Sequence, residues 1–393
     1  MDNRTVALQK HSEWRGKLDI ALKAPIENDE DLAIAYTPGV AEPCLEIRKD
    51  EDLAYEYTGK GNLVAVITDG TAVLGLGDIG PSAAMPVMEG KCALFKRFGN
   101  VNAIPLCVDT KDVDEIVETV YRISKSFGGI NLEDIGAPRC FEIERKLVEK
   151  CDIPIFHDDQ HGTAIITCAA ILNALKVVGK KRGDLKIVVN GAGAAGIAIT
   201  ELILDLHLGN VILCDSKGIV MEGNPRNNAV KEEIAHRTNP IHQSGTLKEA
   251  IHNADVFVGV SQANMVTPEM VRSMDRDPII FAMANPVPEI MPDVAKEAGA
   301  VVVGTGRSDF PNQVNNVLVF PGFFKGLLRV GATKVTQEMK IRAAEALASV
   351  ITDEELNADY VLPGAFDERV ADAIADAVSA EAVASGVCRP IHR

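Results

Sequence analysis

The stretch KIVVNGAGAAGIAITELILDLHLGNVILCD, residues 186–215, decides how the rest of the chain is read. An apolar run ending at Asn190 has strand character, and Gly191, Gly193 and Gly196 follow it at once in the spacing G-x-G-x-x-G. From Ala194 and Ala195 onward the pattern is that of a helix, and a second apolar run ends on Asp215, about 20 residues past the glycines. Strand, glycine loop, helix, strand and acid in this order make a Rossmann-type βαβ unit. The physics depends on that order. Glycines let the backbone approach a pyrophosphate, a helix N-terminus offers free N–H groups and the positive end of its dipole, and the carboxylate accepts from a ribose hydroxyl. Gly191, Gly193, Ala194, Ala195 and Gly196 are therefore the expected dinucleotide cradle, with Asp215 at the ribose. A carboxylate there opposes a 2′-phosphate and favours NAD, but Lys217 is two residues away and within reach of such a phosphate, so NAD and NADP both stay open.

Working outward, LGLGDIG holds the same glycine spacing at Gly75, Gly77 and Gly80. Pro81 follows directly and no acidic strand end lies at the proper distance, so this segment reads as a glycine-rich turn beside a site, with Asp78 unassigned. The short β-rich runs LVAVIT, AIPLCV, IPIF, KIVVNG, NVILCD, VFVGV, IIFAMA and AVVVG alternate with helix-length segments along the chain. That is the α/β signature, and the near-continuous apolar character of the runs predicts mainly parallel strands covered by helices on both faces. A chain of 393 residues exceeds what one core serves. The boundary is expected near residue 160, where HDDQHGTA leads into the helical AIITCAAILNALKVV and a new βαβ unit follows. This gives an N-terminal α/β domain, 1–160, and a C-terminal Rossmann-type domain with a helical extension, 161–393. Beyond residue 333 only helices are expected, as a cap that can return to the first domain.

Forty basic against 56 acidic side chains leave a net charge of −16, with no gathered basic face, which argues against nucleic acid as a partner. The eight cysteines form no C-x-x-C pair, and several sit in apolar segments, as buried free thiols would. The polar N-terminus has no signal-peptide core, and no uninterrupted apolar run approaches about 18 residues, so a cytoplasmic protein without a membrane span is expected.

Three acidic groups fall at strand ends or helix starts: Asp69 in VITDGT, Glu133 with Asp134 in GGINLEDIG, and Asp158 with Asp159 in IPIFHDDQHG. Adjacent carboxylates repel unless solvated or bridged by a cation, and hard oxygen ligands suit magnesium or manganese. His157 and His161 stand four apart, the spacing of a zinc helix. A strand-like IPIF precedes the first histidine and the helix is expected to start only near Gly162, so structural roles are expected for both. Lys91 in PVMEGKCALFKRF has apolar flanks; beside a metal ion its pKa can fall toward neutrality, making it a usable base. Tyr36 in IAYTPGV offers a phenol ahead of a Pro-Gly turn.

Taken together, AYTPGVAEPC, TDGTAVLGLGDIGPSAAMPVMEGK, INLEDI, FHDDQHGTA, GAGAAG, ANPVPEI, GRSDFPNQVNNVLVFPG and YVLPGAFDERVADAIADAV resemble the malic enzyme family, in order and at the spacing of its compact bacterial members. The resemblance implies a homodimer that converts malate to pyruvate and carbon dioxide with NAD or NADP and with Mn2+ or Mg2+. By the same resemblance Glu133, Asp134 and Asp159 would hold the ion, Lys91 would be the general base, Asp158 would orient it, and Tyr36 would be the general acid. Asn285, with Asn315 or Asn316, would lie where nicotinamide and substrate carboxylate meet. Larger members carry an arginine in the segment DGxRxLGLG, whereas Thr71 and Ala72 stand here, so Thr71, backbone N–H groups or the asparagines would have to recognise the carboxylate. Two other readings compete: a two-domain nicotinamide dehydrogenase that needs no metal, acting on an amino acid or a folate, and a non-catalytic NAD-sensing module.

Overall fold

The computed structural model of the chain describes residues 3–73 and 75–390. Its first sheet holds β1 (Leu63–Thr68), β2 (Asn102–Cys107), β3 (Gly129–Leu132) and β4 (Ile155–His157) in the order β2-β1-β3-β4. All pairings are parallel, so each connection must cross over through a helix, and Pro81–Gly99, Val113–Ile123 and Arg139–Lys150 do so. Val64, Ala65 and Val66 are fully buried, which explains the absence of polar alternation in LVAVIT. Strand β3 is not among the β-rich runs, although Glu133 and Asp134 directly follow it as acids at a strand end. Glycines open it, and the buried Asn131 interrupts its apolar run to donate a hydrogen bond to Glu133, so its strand state rests on neighbours on both sides.

The second sheet holds β5 (Leu185–Asn190), β6 (Gly209–Asp215), β7 (Gly218–Ile219), β8 (Val256–Gly259), β9 (Ile279–Ala282) and β10 (Val302–Thr305), ordered β10-β9-β8-β5-β6-β7. The pairings are parallel except for β7, a two-residue strand that turns back against β6 at the sheet edge. Strand order reverses at β5, so a ligand crevice opens beyond the C-terminal ends of β5 and β8, as a Rossmann-type sheet requires.

The helix Asp158–Val178 begins directly after β4 and not near Gly162 as expected from the sequence. Asp158 and Asp159 occupy its first turn, where carboxylates face the positive end of the helix dipole. By length and composition this helix could cross a membrane, but 72% of its apolar window is buried inside the protein, between the helices Ala194–Asp205 and Gln337–Ser349. The C-terminal helices Phe320–Arg329, Gln337–Ser349 and Arg369–Ala384 pack on one another, and the first of them returns to the helix Pro81–Gly99. There the ring of Phe95 lies 4.6 Å from that of Phe320 and 5.3 Å from that of Phe324. All eight cysteines are free, with Cys92, Cys140, Cys168 and Cys214 buried and Cys44 exposed. The N-terminal segment is different in character: the helices Asp29–Ala35 and Ala41–Lys49 bury no residue, and Ile20 is 94% exposed, Leu22 78% and Ile34 68%.

Candidate active site

Parallel pairing of β3 with β4 places Leu132 opposite His157, so the residues that follow each strand emerge side by side. Glu133 and Asp134 leave β3, Asp158 and Asp159 leave β4, and the ligand atoms of Glu133, Asp134 and Asp159 lie within 4.8 Å of one another. Asp69, the other acidic candidate, is not in this group and forms a 2.7 Å ion pair with Arg139 instead. Asp134 adopts a left-handed backbone, φ 54°. Its N–H donates to Asp159 at 2.8 Å and its carbonyl accepts from the N–H of Ala72 at 2.9 Å, contacts that hold an otherwise unfavourable conformation.

Lys91, on the helix Pro81–Gly99, points into the same place. Its Nζ is 2.8 Å from Glu133 Oε1, 2.5 Å from Asp158 Oδ2 and 4.2 Å from the centroid of the Phe320 ring. Burial alone would lower its pKa, but Asp158, Glu133 and Asp159 outweigh burial and hold it above the ordinary lysine range. The sequence-based expectation of a lowered pKa therefore does not describe the protein without a cation, because carboxylates surround the amine on several sides. Burial raises Glu133, Asp134, Asp158 and Asp159, and repulsion from neighbouring carboxylates adds to it at Glu133, Asp134 and Asp158, pushing Asp134 up to about 9. Four acidic groups face one ammonium, and the buried Asp134 Oδ2 has no hydrogen-bond partner. A further positive charge with oxygen preference fits this donor set, as magnesium or manganese would.

Gly162 lies one helical turn after Asp158, and a Cβ there would collide with Asp158 Oδ1 and come within 3.3 Å of Asn316 Cβ. The absence of a side chain thus lets Asn316 sit beside the Lys91–Asp158 pair. Asn315 differs from its neighbour, since its side chain caps the following turn by accepting from the N–H of Val317 at 3.0 Å. The structure therefore distinguishes two asparagines that the sequence left equivalent. Thr71 is also committed. Its hydroxyl donates to Asp69 at 2.6 Å and accepts from Gly136 N–H at 2.9 Å and from Arg139 at 2.8 Å. It ties the turn after β1 to the loop that carries Glu133 and Asp134. Arg139, Asn131 and Phe320 were not singled out from the sequence; a buried polar residue inside an apolar strand was the only available signal, and only for Asn131.

His157 is buried and His161 partly so, and neither is a member of the carboxylate cluster, although His157 Nδ1 comes within 3.8 Å of Asp159 Oδ2. His161 Nε2 is 2.8 Å from Glu144 and its Nδ1 is 3.1 Å from Lys340 Nζ, while Glu144 accepts from the His157 N–H at 3.1 Å. Despite burial, His161, Lys340 and His157 hold Glu144 down to about 2. These contacts suit a structural bridge between the first sheet and the C-terminal helices. Tyr36 stands apart, 67% exposed at the end of the helix Asp29–Ala35, and among the described residues its hydroxyl has no partner. In LGLGDIG, Gly75, Gly77 and Gly80 all have positive φ, and Asp78 pairs with Lys111 at 2.5 Å on the surface.

In the second sheet the glycine loop has the expected form. A Cβ on Gly191 would lie 2.6 Å from Val260 O, across the switch point, and one on Gly196 would collide with Gly191 O, whereas Gly193 faces open space. The helix Ala194–Asp205 starts at Gly193, so the N–H groups of Ala194, Ala195 and Gly196 form its open end. Glu289, another residue the sequence did not reveal, is fully buried and accepts from Ser261 N–H at 2.9 Å and Ala284 N–H at 3.0 Å. It thereby joins the loop after β8 to the loop that carries Asn285. Asp215 ends β6, with its carboxylate taking the Lys217 N–H at 2.8 Å and Lys231 Nζ at 2.7 Å.

Fold and site together define a two-domain α/β protein in which a Rossmann-type sheet accompanies a buried acidic pocket at the end of a smaller parallel sheet. The model of the malic enzyme N-terminal domain matches residues 15–148 and that of the malic enzyme NAD binding domain matches residues 160–383; the chain belongs to the malic enzyme family. It is 58% identical over 390 residues to the bifunctional malic/malolactic enzyme of Bacillus subtilis, covering 99% of this chain and 95% of that one. To the NADP-dependent malic enzyme of Halomonas elongata it is 48% identical, covering 99% and 96%. The crystal structure of the NAD-dependent malic enzyme from Thermotoga maritima superposes with a TM-score of 0.91 at 48% identity, covering 95% of this chain and 98% of that one.

Proposed function

We propose that this chain oxidatively decarboxylates malate to pyruvate and carbon dioxide, using NAD or NADP and a divalent cation held by Glu133, Asp134 and Asp159. The observation that carries this reading is the convergence of those carboxylates within 4.8 Å beside the Lys91–Asp158 pair. Lys91 takes the proton of the C2 hydroxyl as hydride leaves C2, and Asp158 aims the amine through its 2.5 Å contact. The glycine loop would hold the pyrophosphate of the dinucleotide and Asn285 would lie toward its nicotinamide, which would supply the hydride acceptor. When bound, the cation supplies Lewis acidity at the C2 oxygen and offsets the carboxylate charge that keeps Lys91 protonated. Asn316, beside Asp158, suits hydrogen bonding to a substrate carboxylate; with the Thr71 hydroxyl committed, Asn285, Asn315 and backbone N–H groups are the other candidates. Tyr36 protonates C3 of the enolate that remains after carbon dioxide departs.

A homodimer is part of the same proposal. Ile20, Leu22 and Ile34 are too exposed for a segment that faces water alone, and a second copy is the partner that would cover them. Tyr36 lies within this stretch, so association is also what would enclose its hydroxyl. Ile20→Asp together with Leu22→Asp is expected to convert dimer to monomer in sedimentation velocity; an unchanged dimer would place the interface elsewhere.

The activity test is an assay with malate, manganese and either coenzyme, following reduced nicotinamide and pyruvate together. Equal amounts of both, lost with chelator and restored by manganese, are expected. Chelator-resistant turnover favours a metal-free dehydrogenase, and no turnover favours an NAD-sensing module, so either outcome rejects the proposal.

A further inference from the structure

Behind the acidic pocket lies an imidazole without a task in the chemistry described above. His157, the last residue of β4, is fully buried, and neither of its ring nitrogens has a hydrogen-bond partner among the described residues. A neutral imidazole carries one donor and one acceptor nitrogen in either tautomer, so a buried ring with neither engaged is uncommon and costly. Its backbone, by contrast, is fixed. The His157 N–H donates to Glu144 Oε1 at 3.1 Å, the same carboxylate takes the Gln160 amide at 3.3 Å and lies 2.8 Å from His161 Nε2, and Leu132 pairs with His157 across the sheet. Two neighbouring elements, the helix Arg139–Lys150 and β3, thus hold the residue that carries the ring.

That ring faces Asp159. Its Nδ1 stands 3.8 Å from Asp159 Oδ2, too far for a hydrogen bond, and a movement of about 1 Å would make one. Oδ2 already accepts the Asp134 N–H at 2.8 Å, and an ionised carboxylate oxygen has lone pairs for a second donor. With both donors on Oδ2, Oδ1 is the oxygen left to face a cation. His157 itself lies outside the group whose ligand atoms converge, so its chemistry is that of a partner to a ligand.

We propose that His157 is a positioning residue for the divalent cation, its Nδ1–H donating to Asp159 Oδ2 and fixing the orientation of that carboxylate when the ion binds. The inference rests on reading Glu133, Asp134 and Asp159 as the cation site and adds to it a hydrogen bond from behind. Donors of this kind orient metal-binding carboxylates, and losing one typically weakens metal binding by about 10- to 100-fold. A histidine that served only to fill the core could be replaced by an apolar side chain of similar size without effect on the ion.

The test is titration of the full chain with Mn2+ alone, without malate or coenzyme, the free ion being followed by electron paramagnetic resonance. His157→Leu keeps bulk and removes the donor, His157→Asn places an amide near the position of Nδ1, and His157→Gln places one near that of Nε2. His157→Leu is expected to bind Mn2+ about 10-fold or more weakly than wild type, His157→Asn to recover most of the affinity and His157→Gln little of it. Binding by His157→Leu within about threefold of wild type overturns the proposal, as does equal weakening in all three variants, which marks a general disturbance of packing. If His157→Leu does not fold, the other two variants decide: tighter binding by His157→Asn than by His157→Gln supports the proposal, and the reverse or equality overturns it. A wild-type chain that binds no Mn2+ overturns the cation site itself, and this proposal with it.

Discussion

Lys91→Ala is expected to lower the turnover of malate by about 10² or more, the usual contribution of a positioned base. The amine is the basic group within reach of Glu133 and Asp158, and it contacts both. The substitution also removes the cation of a buried pair, since Asp158 is fully buried, and such removal costs roughly 3–5 kcal/mol of stability. Turnover is therefore compared at a temperature well below the melting point of either protein, so that loss of chemistry is read apart from loss of fold. Lys91→Arg retains the charge but not a usable base, and should recover stability without recovering rate. Activity within tenfold of wild type in Lys91→Ala would exclude Lys91 as the base.

Manganese is expected to raise the melting temperature, and to raise it more at higher pH. The carboxyl of Asp134, with a pKa of about 9 in the folded chain against about 3.9 in an unfolded one, binds more protons in the folded state. For an acid shifted in this direction, its favourable contribution is complete below the unfolded value and is lost as pH rises through the folded value. The metal-free protein thus loses stability across this window, roughly pH 4 to 9. A cation that binds the ionised carboxylates removes that loss, and at 100 times its dissociation constant adds about 2.7 kcal/mol. Asp159→Asn should melt higher than wild type without metal, because one repelling charge is gone, and should no longer respond to manganese. A wild-type melting temperature indifferent to manganese at pH 8 would sink the metal assignment.

How much of this was legible beforehand depends on the range of the interaction involved. The glycine loop, its flanking strands and Asp215 lie within thirty consecutive residues, and each of their demands on backbone conformation is local, so the residue order alone declared them. Strand β3 was legible only through the acids expected at its end and not as a β-rich run of its own, because four residues containing a buried asparagine become a strand only between β1 and β4. The start of the helix Asp158–Val178 was misplaced for a related reason. Periodicity begins at its apolar residues, whereas its first turn is occupied by acids whose place is set by the helix dipole and by the site.

The amino-acid sequence by itself determined the α/β class and the Rossmann-type unit, because those rest on hydrophobic period and glycine geometry, and it offered the acidic residues and Lys91 as candidates. Tertiary structure alone decided which of them meet. It separated Asn316 from Asn315, took Asp69 out of the acidic pocket and gave it to Arg139, closed Thr71 into a clamp, and brought Lys231 to Asp215 across sixteen residues of chain. These are through-space contacts at the ends of parallel strands, and their electrostatics depend on distances that no linear spacing encodes.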